Sequence, residues 1–248
     1  MSSDSAHRPV ASAPEQKTDL LPTVEIETGP RPVRAVIWLH GLGADGHDFE
    51  PVVGEFDRQR LPPTRFVFPN APMRPVTING GYVMPAWYDI LSMDFSDRRE
   101  DEEGVRQSAR QIEALLAREN ARGIDDRHIM LAGFSQGGAI ALHTALRHPR
   151  RLAGLMALST YLPLAATLAA EVNAANRDIP VFMAHGQDDP VIPCELGQRS
   201  AERLHALGYQ VRWHEYPIEH SVSIEEIRDI DTWLREVLAD TGADDATA

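Results

Sequence analysis

Apolar and polar positions follow two periods along this chain, and the alternation between them predicts most of its elements. Residues 23–28, Thr-Val-Glu-Ile-Glu-Thr, alternate as a half-exposed strand at a sheet edge would. Residues 33–39 are mostly apolar, which predicts a strand buried on both faces, and it runs into a glycine-rich loop at residues 40–46. A short helix is expected over 48–56 with Asp48 as its N-cap, then a strand over 65–68 closed by Pro69-Asn70-Ala71-Pro72. Residues 73–99 show no clear period and read as one long loop, a length that in a compact domain usually carries function. An amphipathic helix follows over 100–122, with acidic residues in its first turn and Gly123 past its end. Beyond it come a strand at 127–132, an apolar helix at 139–146 and a strand at 152–158. Residues 164–175 are Ala-rich and read as a helix or a flap. A strand at 179–184, a helix at 195–207 capped by Gly208, a strand at 210–216 and a closing helix at 224–238 complete the series.

Strands alternate with helices from residue 128 onward, the pattern of βαβ units on a mainly parallel sheet. No internal repeat or linker divides the chain. The expected organisation is therefore a disordered Ser-, Ala- and Pro-rich extension over residues 1–20, one α/β domain over 21–240, and a flexible acidic tail over 241–248.

Gly133-Phe134-Ser135-Gln136-Gly137 falls between a predicted strand and a predicted helix. That is the context of a nucleophile elbow, Gly-x-Ser-x-Gly, in which a tight turn lifts the serine hydroxyl out of the sheet. The pentapeptide alone occurs by chance in very roughly one chain in ten of this length, so its weight comes from the flanking strand and helix. The same turn puts the Gln136 backbone N–H at a helix N-terminus, where it can donate to a developing oxyanion.

A serine needs a base, and the base needs an orienting acid, in the chain order Ser, acid, His for this kind of turn. Of the downstream histidines, His143, His148 and His205 fall in helices and are expected at the surface. His214 lies within a strand, and His185 leaves no later strand end for the acid. His220 follows the last strand and precedes the closing helix, the position of the base. The acid is then expected from His185-Gly186-Gln187-Asp188-Asp189-Pro190, where Asp188 and Asp189 are both open. The loop His40-Gly41-Leu42-Gly43 should carry the second oxyanion donor. It has neither the ending of a Walker motif nor a full dinucleotide fingerprint. His40, Asp45, His47 and Asp48 lie close in sequence, but the chain shows no convincing metal cluster.

Composition narrows the partners. A net charge of −13 argues against nucleic acid and anionic membrane surfaces. The single cysteine, Cys194, permits no intrachain disulfide, and no basic-then-apolar leader opens the sequence, so a cytoplasmic location is expected. No apolar run approaches the roughly 18 residues of a spanning helix, so no integral membrane association is expected.

The blocks 39–49, Pro69-Asn70-Ala71-Pro72, Ala86-Trp87-Tyr88-Asp89, 133–138, 185–193 and His220-Ser221 together resemble the carboxylesterase and acyl-protein thioesterase (lysophospholipase-like) family of α/β-hydrolases. Residues 74–81 are similar to its bacterial carboxylesterase side. The resemblance implies the α/β-hydrolase fold, with a mostly parallel central sheet flanked by helices. It implies Ser135 as nucleophile, Asp189 as acid and His220 as base, with Leu42 and Gln136 as backbone oxyanion donors. It also implies no metal, no cofactor and frequent homodimers.

The expected function is hydrolysis of carboxylic esters with short to medium acyl chains, with thioesters or lysophospholipids as further candidates, through an acyl-enzyme. Met84, Trp87, Tyr161 and Leu162 are the expected substrate-binding residues of an acyl pocket drawn from 73–95 and 161–168. The rivals are a serine peptidase of the same fold, which would turn over aminoacyl amides, and a non-catalytic ligand-binding module.

Overall fold

In the computed structural model of the chain, residues 20–92 and 99–239 are described. The expected extension over 1–20, apart from Leu20, and the expected tail over 241–248 lie outside them.

Seven strands form one sheet. In chain order they are β1 (Thr23–Glu27), β2 (Arg34–Leu39), β3 (Thr64–Pro69), β6 (Ile129–Phe134), β7 (Gly154–Leu158), β8 (Val181–Gly186) and β9 (Val211–Tyr216). Their spatial order is β1-β3-β2-β6-β7-β8-β9. β1 pairs antiparallel with β3 at one edge, as its alternating pattern predicts, and every other pairing is parallel.

Two further strands, β4 (Met73–Val76) and β5 (Tyr82–Pro85), make a separate antiparallel hairpin. This corrects the long loop expected over 73–99. Gly80 and Gly81 at its tip take positive φ, which lets the chain reverse there. The pairing was hidden because prolines at 75 and 85 and mixed polarity blur a four-residue alternation.

Among the described residues five α-helices pack around the sheet: α1 (Glu102–Ala121), α2 (Gln136–Arg147), α3 (Ala165–Glu171), α4 (Cys194–Ala206) and α5 (Ile224–Ala239). Asp101 caps α1 by accepting from the Gly104 N–H at 2.9 Å. The helix expected at 48–56 is instead a short 3₁₀ helix, Glu50–Glu55, preceded by Phe49, and Asp48 does not cap it.

Side chains of each central strand divide between two cores because successive residues point to opposite faces. On β2, Ala35, Ile37 and Leu39 join the core beneath α1 and α2, whereas Val36 and Trp38 join the one beneath α5. On β6, Ile129 and Leu131 take the first face, and Met130 and Ala132 the second. A strand covered on both faces has no reason to alternate, which is why β2 and β6 read as continuous apolar runs. The parallel order brings the C-terminal ends of β2, β6, β8 and β9 to one edge of the sheet, where ligands bind in open α/β folds.

Candidate active site

Ser135 occupies the turn between β6 and α2 with φ 54° and ψ −122°, a conformation that L residues rarely adopt. Backbone bonds hold it there: its N–H donates to Leu158 O on β7, and its carbonyl accepts from Ala139 N–H and the Thr160 hydroxyl. The flanking glycines are sterically required. A Cβ on Gly133 would lie 2.4 Å from the Gly137 carbonyl, and one on Gly137 would lie 2.5 Å from the carbonyls of Leu39 and His40.

His220 sits in the loop between β9 and α5, 85 residues from the serine. Its Nε2 is 2.9 Å from Ser135 Oγ, and its Nδ1 is 2.6 Å from Asp189 Oδ2. The carboxylate can only accept, so Nδ1 carries the proton and Nε2 is the acceptor for the Ser135 hydroxyl. Asp189 lies in the turn after β8. Its other oxygen, Oδ1, accepts from the backbone N–H groups of Val191 and Ile192. Burial pushes the Asp189 carboxyl upward, but hydrogen bonds from His185, His220 and Ile192 outweigh it and hold the pKa well below the usual carboxylate range. Asp188, equally open to a reading of the residues alone, is exposed.

The loop after β2 faces the elbow. His40 is buried inside it, with Nε2 accepting from Ala71 N–H at 3.1 Å and Nδ1 2.7 Å from Gly41 O. Burial lowers its pKa, which favours the neutral ring that this pairing needs. His47 turns outward to Glu50 at 2.6 Å, so the neighbours His40, Asp45, His47 and Asp48 do not converge on one point. Leu42, at the crest of the loop, and Gln136, the first residue of α2, both line the cleft above Ser135. The Gln136 N–H is among the four that the start of a helix leaves without an intrahelical acceptor.

That cleft holds about 340 Å³. Ile78, Tyr88, Ile90, Tyr161, Val191 and Ile192 are among its largely apolar lining, which also includes Ser135, Gln136 and His220. It is a preformed apolar pocket with a few convergent polar groups, the usual form of a small-molecule site.

The phospholipase/carboxylesterase family model matches residues 22–238. The chain belongs to the phospholipase/carboxylesterase family. It is 41% identical over 211 residues to the acyl-protein thioesterase 1 of Gibberella zeae, covering 82% of this chain and 90% of that one. It is 41% identical over 225 residues to the acyl-protein thioesterase 1 of Mycosarcoma maydis, covering 85% and 94%. Among solved structures, the Zea mays acyl-protein thioesterase 2 is similar at a TM-score of 0.78 and 30% identity, covering 88% of this chain and 99% of that one. The fold is that of the α/β-hydrolases.

In this member of the family, not every expected substrate-binding residue reaches the cleft. Tyr161 does. Trp87 is fully buried behind it, where its indole N–H donates to His40 O and its backbone N–H to the Gln136 side chain. Leu162 is buried in the core with its N–H on the Ser200 hydroxyl. Met84 lies on the hairpin beside Asn79, outside the cleft lining. An apolar residue near a site in sequence can as readily pack beneath it as line it, and only the fold separates the two.

The expectation that His143 and His148 are surface residues is also corrected. His143 is buried in α2, and burial with the charges of Arg147 and Arg106 drops its pKa to about 3. His148 is buried between Glu113 and Asp126, at 2.9 and 3.1 Å. Both follow from α2 being covered nearly all round.

Several side-chain contacts around the site were not read from the sequence. His185 is buried with Nε2 2.9 Å from Ile192 O and 3.3 Å from Asp189 Oδ2, so it braces the turn that carries Asp189. The Gln136 side chain stitches Trp87 N–H and Tyr88 O to the elbow at 2.7 Å each. Phe134 packs its ring on His220, with centroids 4.8 Å apart. For His185 a signal existed in its position four residues before Asp189. For Gln136 and Phe134 there was none beyond their place in the pentapeptide.

Proposed function

We propose that this protein is a serine hydrolase of carboxylic esters and thioesters with short to medium acyl chains, acting through an acyl-enzyme, with Ser135, His220 and Asp189 as its catalytic triad. The observation that carries the reading is the continuous hydrogen-bond path from Asp189 Oδ2 through His220 to Ser135 Oγ, opening into an apolar cleft. The names of the similar proteins, acyl-protein thioesterases, support the thioester part.

Substrate binds with its acyl chain along Ile78, Tyr88, Ile90 and Tyr161. Ser135 Oγ attacks the carbonyl carbon as His220 Nε2 takes its proton. Asp189 keeps the imidazole in the tautomer that can accept and stabilises the imidazolium that forms. The negative charge that develops on the carbonyl oxygen is met by the Leu42 and Gln136 N–H groups. Collapse expels the alcohol or thiol, which His220 protonates. A water activated by His220 then releases the acid and restores Ser135.

A fluorophosphonate probe and a set of p-nitrophenyl esters of increasing acyl length test this. Expected are labelling on the peptide that contains Ser135 and turnover that peaks at short or medium chains. Absence of labelling together with absence of ester turnover would leave only the ligand-binding reading.

A further inference from the structure

The oxyanion loop carries three acids, and two of them are satisfied locally. Asp45 Oδ1 accepts from the His47 N–H at 2.8 Å, and Glu50 pairs with the His47 ring at 2.6 Å. Asp48 is different. Its N–H donates to Asp45 O, but no hydrogen bond or ion pair from a described residue reaches its carboxylate. It caps no helix, since the 3₁₀ helix that follows begins after Phe49 without a side-chain cap. Yet it lines the cleft that contains Ser135 and His220. Among the described residues lining that cleft it is the only acid, and no Lys or Arg is among them.

Its side of the cleft can be assigned. Phe49, the next residue, packs on Phe134 with centroids 5.6 Å apart, and Phe134 packs on His220 at 4.8 Å. The backbone segment that carries Asp48 is thus tied through Phe49 and Phe134 to the part of the cleft that holds His220. His220 must protonate the departing oxygen or sulfur, so the leaving group starts beside His220. The loop is also held in place, with Gly43 N–H on Pro85 O and Ala44 N–H on Gly41 O, so the carboxylate is presented from a fixed backbone.

We propose that Asp48 selects substrates whose leaving group carries a positive charge, such as an ammonium or quaternary ammonium group, a specificity that rests on the ester-hydrolase reading above. Asp48 is exposed at the cleft, and a carboxylate there that no protein cation neutralises attracts a cationic group within a few ångströms and repels an anion. The chain's net charge of −13 adds a long-range field of the same sign.

The test compares kcat/KM for butyrylcholine and for its neutral isostere, 3,3-dimethylbutyl butyrate, at low ionic strength, in the wild type, Asp48→Asn and Asp48→Glu. Taking the ratio cancels any general loss of activity in a variant. The wild type is expected to favour the cation about five- to tenfold, with the preference shrinking as salt is raised. Asp48→Asn should bring the ratio to within about twofold of one, and Asp48→Glu should keep most of it. A wild-type ratio of one or below overturns the proposal, as does a ratio unchanged in Asp48→Asn. If the neutral ester is hydrolysed without any preference, the specificity alone fails. If neither ester is hydrolysed, the hydrolase reading fails and the specificity falls with it.

Discussion

A Cβ on Gly186 would stand 2.3 Å from the carbonyl oxygen of Glu219, so the end of β8 and the residue before His220 meet backbone against backbone. Two further bonds tie the same strands' ends together: Gln187 N–H donates to Tyr216 O, and Asp188 N–H to Ile218 O. The Asp189 turn and the His220 loop are thus tied directly to each other. Gly186→Ala should push that loop away and lengthen the His220–Ser135 contact. A misplacement of about 1 Å costs on the order of 10²-fold in turnover. We expect kcat to fall by roughly that factor with KM much less affected, read from steady-state kinetics on one p-nitrophenyl ester. An Ala variant with wild-type kcat would show that the loop tolerates the shift.

Asp188 and Asp189 are adjacent carboxylates with opposite surroundings, one exposed and one buried against His220. An amide in place of Asp189 can hold the imidazole in the wrong tautomer. Asp189→Asn should therefore lose about 10³- to 10⁴-fold in kcat, and Asp188→Asn less than about tenfold. Circular dichroism would confirm that both remain folded. Comparable losses in the two variants would remove Asp189 from the triad.

The strain at Ser135 separates stability from activity. Its φ of 54° with ψ −122° suits glycine better than any side chain, and such strain costs about 1–3 kcal/mol. Ser135→Gly relieves it, partly offset by about 0.5–1 kcal/mol of extra unfolded-chain entropy. The Gly variant should lose ester turnover yet melt higher than Ser135→Ala, by a margin on the order of 1 kcal/mol. Calorimetry on the two inactive variants reads the difference, and equal melting temperatures would mean that the elbow is relaxed in solution.

Glu226, in the first turn of α5, is buried with neither carboxylate oxygen hydrogen-bonded among the described residues. Burial, reinforced by Asp229 and only partly opposed by the nearby Ser223 backbone, raises its pKa to about 8. The folded protein then binds a proton at this site that the unfolded chain releases near its ordinary value of 4.5. Between those limits stability must fall as pH rises, and the full cost is in place above about pH 8. The cost is on the order of a few kcal/mol. Glu226→Gln should remove this slope, so denaturation midpoints of wild type and variant, close at pH 4.5, should separate by pH 8 in favour of the variant. Parallel pH profiles would mean that Glu226 is solvated or paired in solution.

What the amino-acid sequence determined by itself is whatever depends on near neighbours in the chain. The β6–turn–α2 unit was legible because its glycines answer to a steric demand within five residues. The parallel order was legible because β2, β6 and β8 must be apolar on both faces. His220 was legible because it stands between the last strand and the last helix. What only the tertiary structure decided are relations between segments that the chain brings together from far apart. Spacing left Asp188 and Asp189 open and only the family resemblance favoured Asp189; which carboxylate reaches His220, 31 positions later, depends on which side chain the turn directs toward it. Trp87 and Leu162 pack beneath the cleft while Tyr88 and Tyr161 line it, a difference of one position along irregular backbone that has no period to read. The β4–β5 hairpin is too short for its alternation to stand out. Asp48 read locally as a helix cap, whereas the 3₁₀ helix that follows takes no side-chain cap and Asp48 instead lines the cleft. Local sterics and periodicity are written into adjacent residues, whereas the direction of a side chain on a loop is settled by long-range packing against residues that a linear pattern does not bring together.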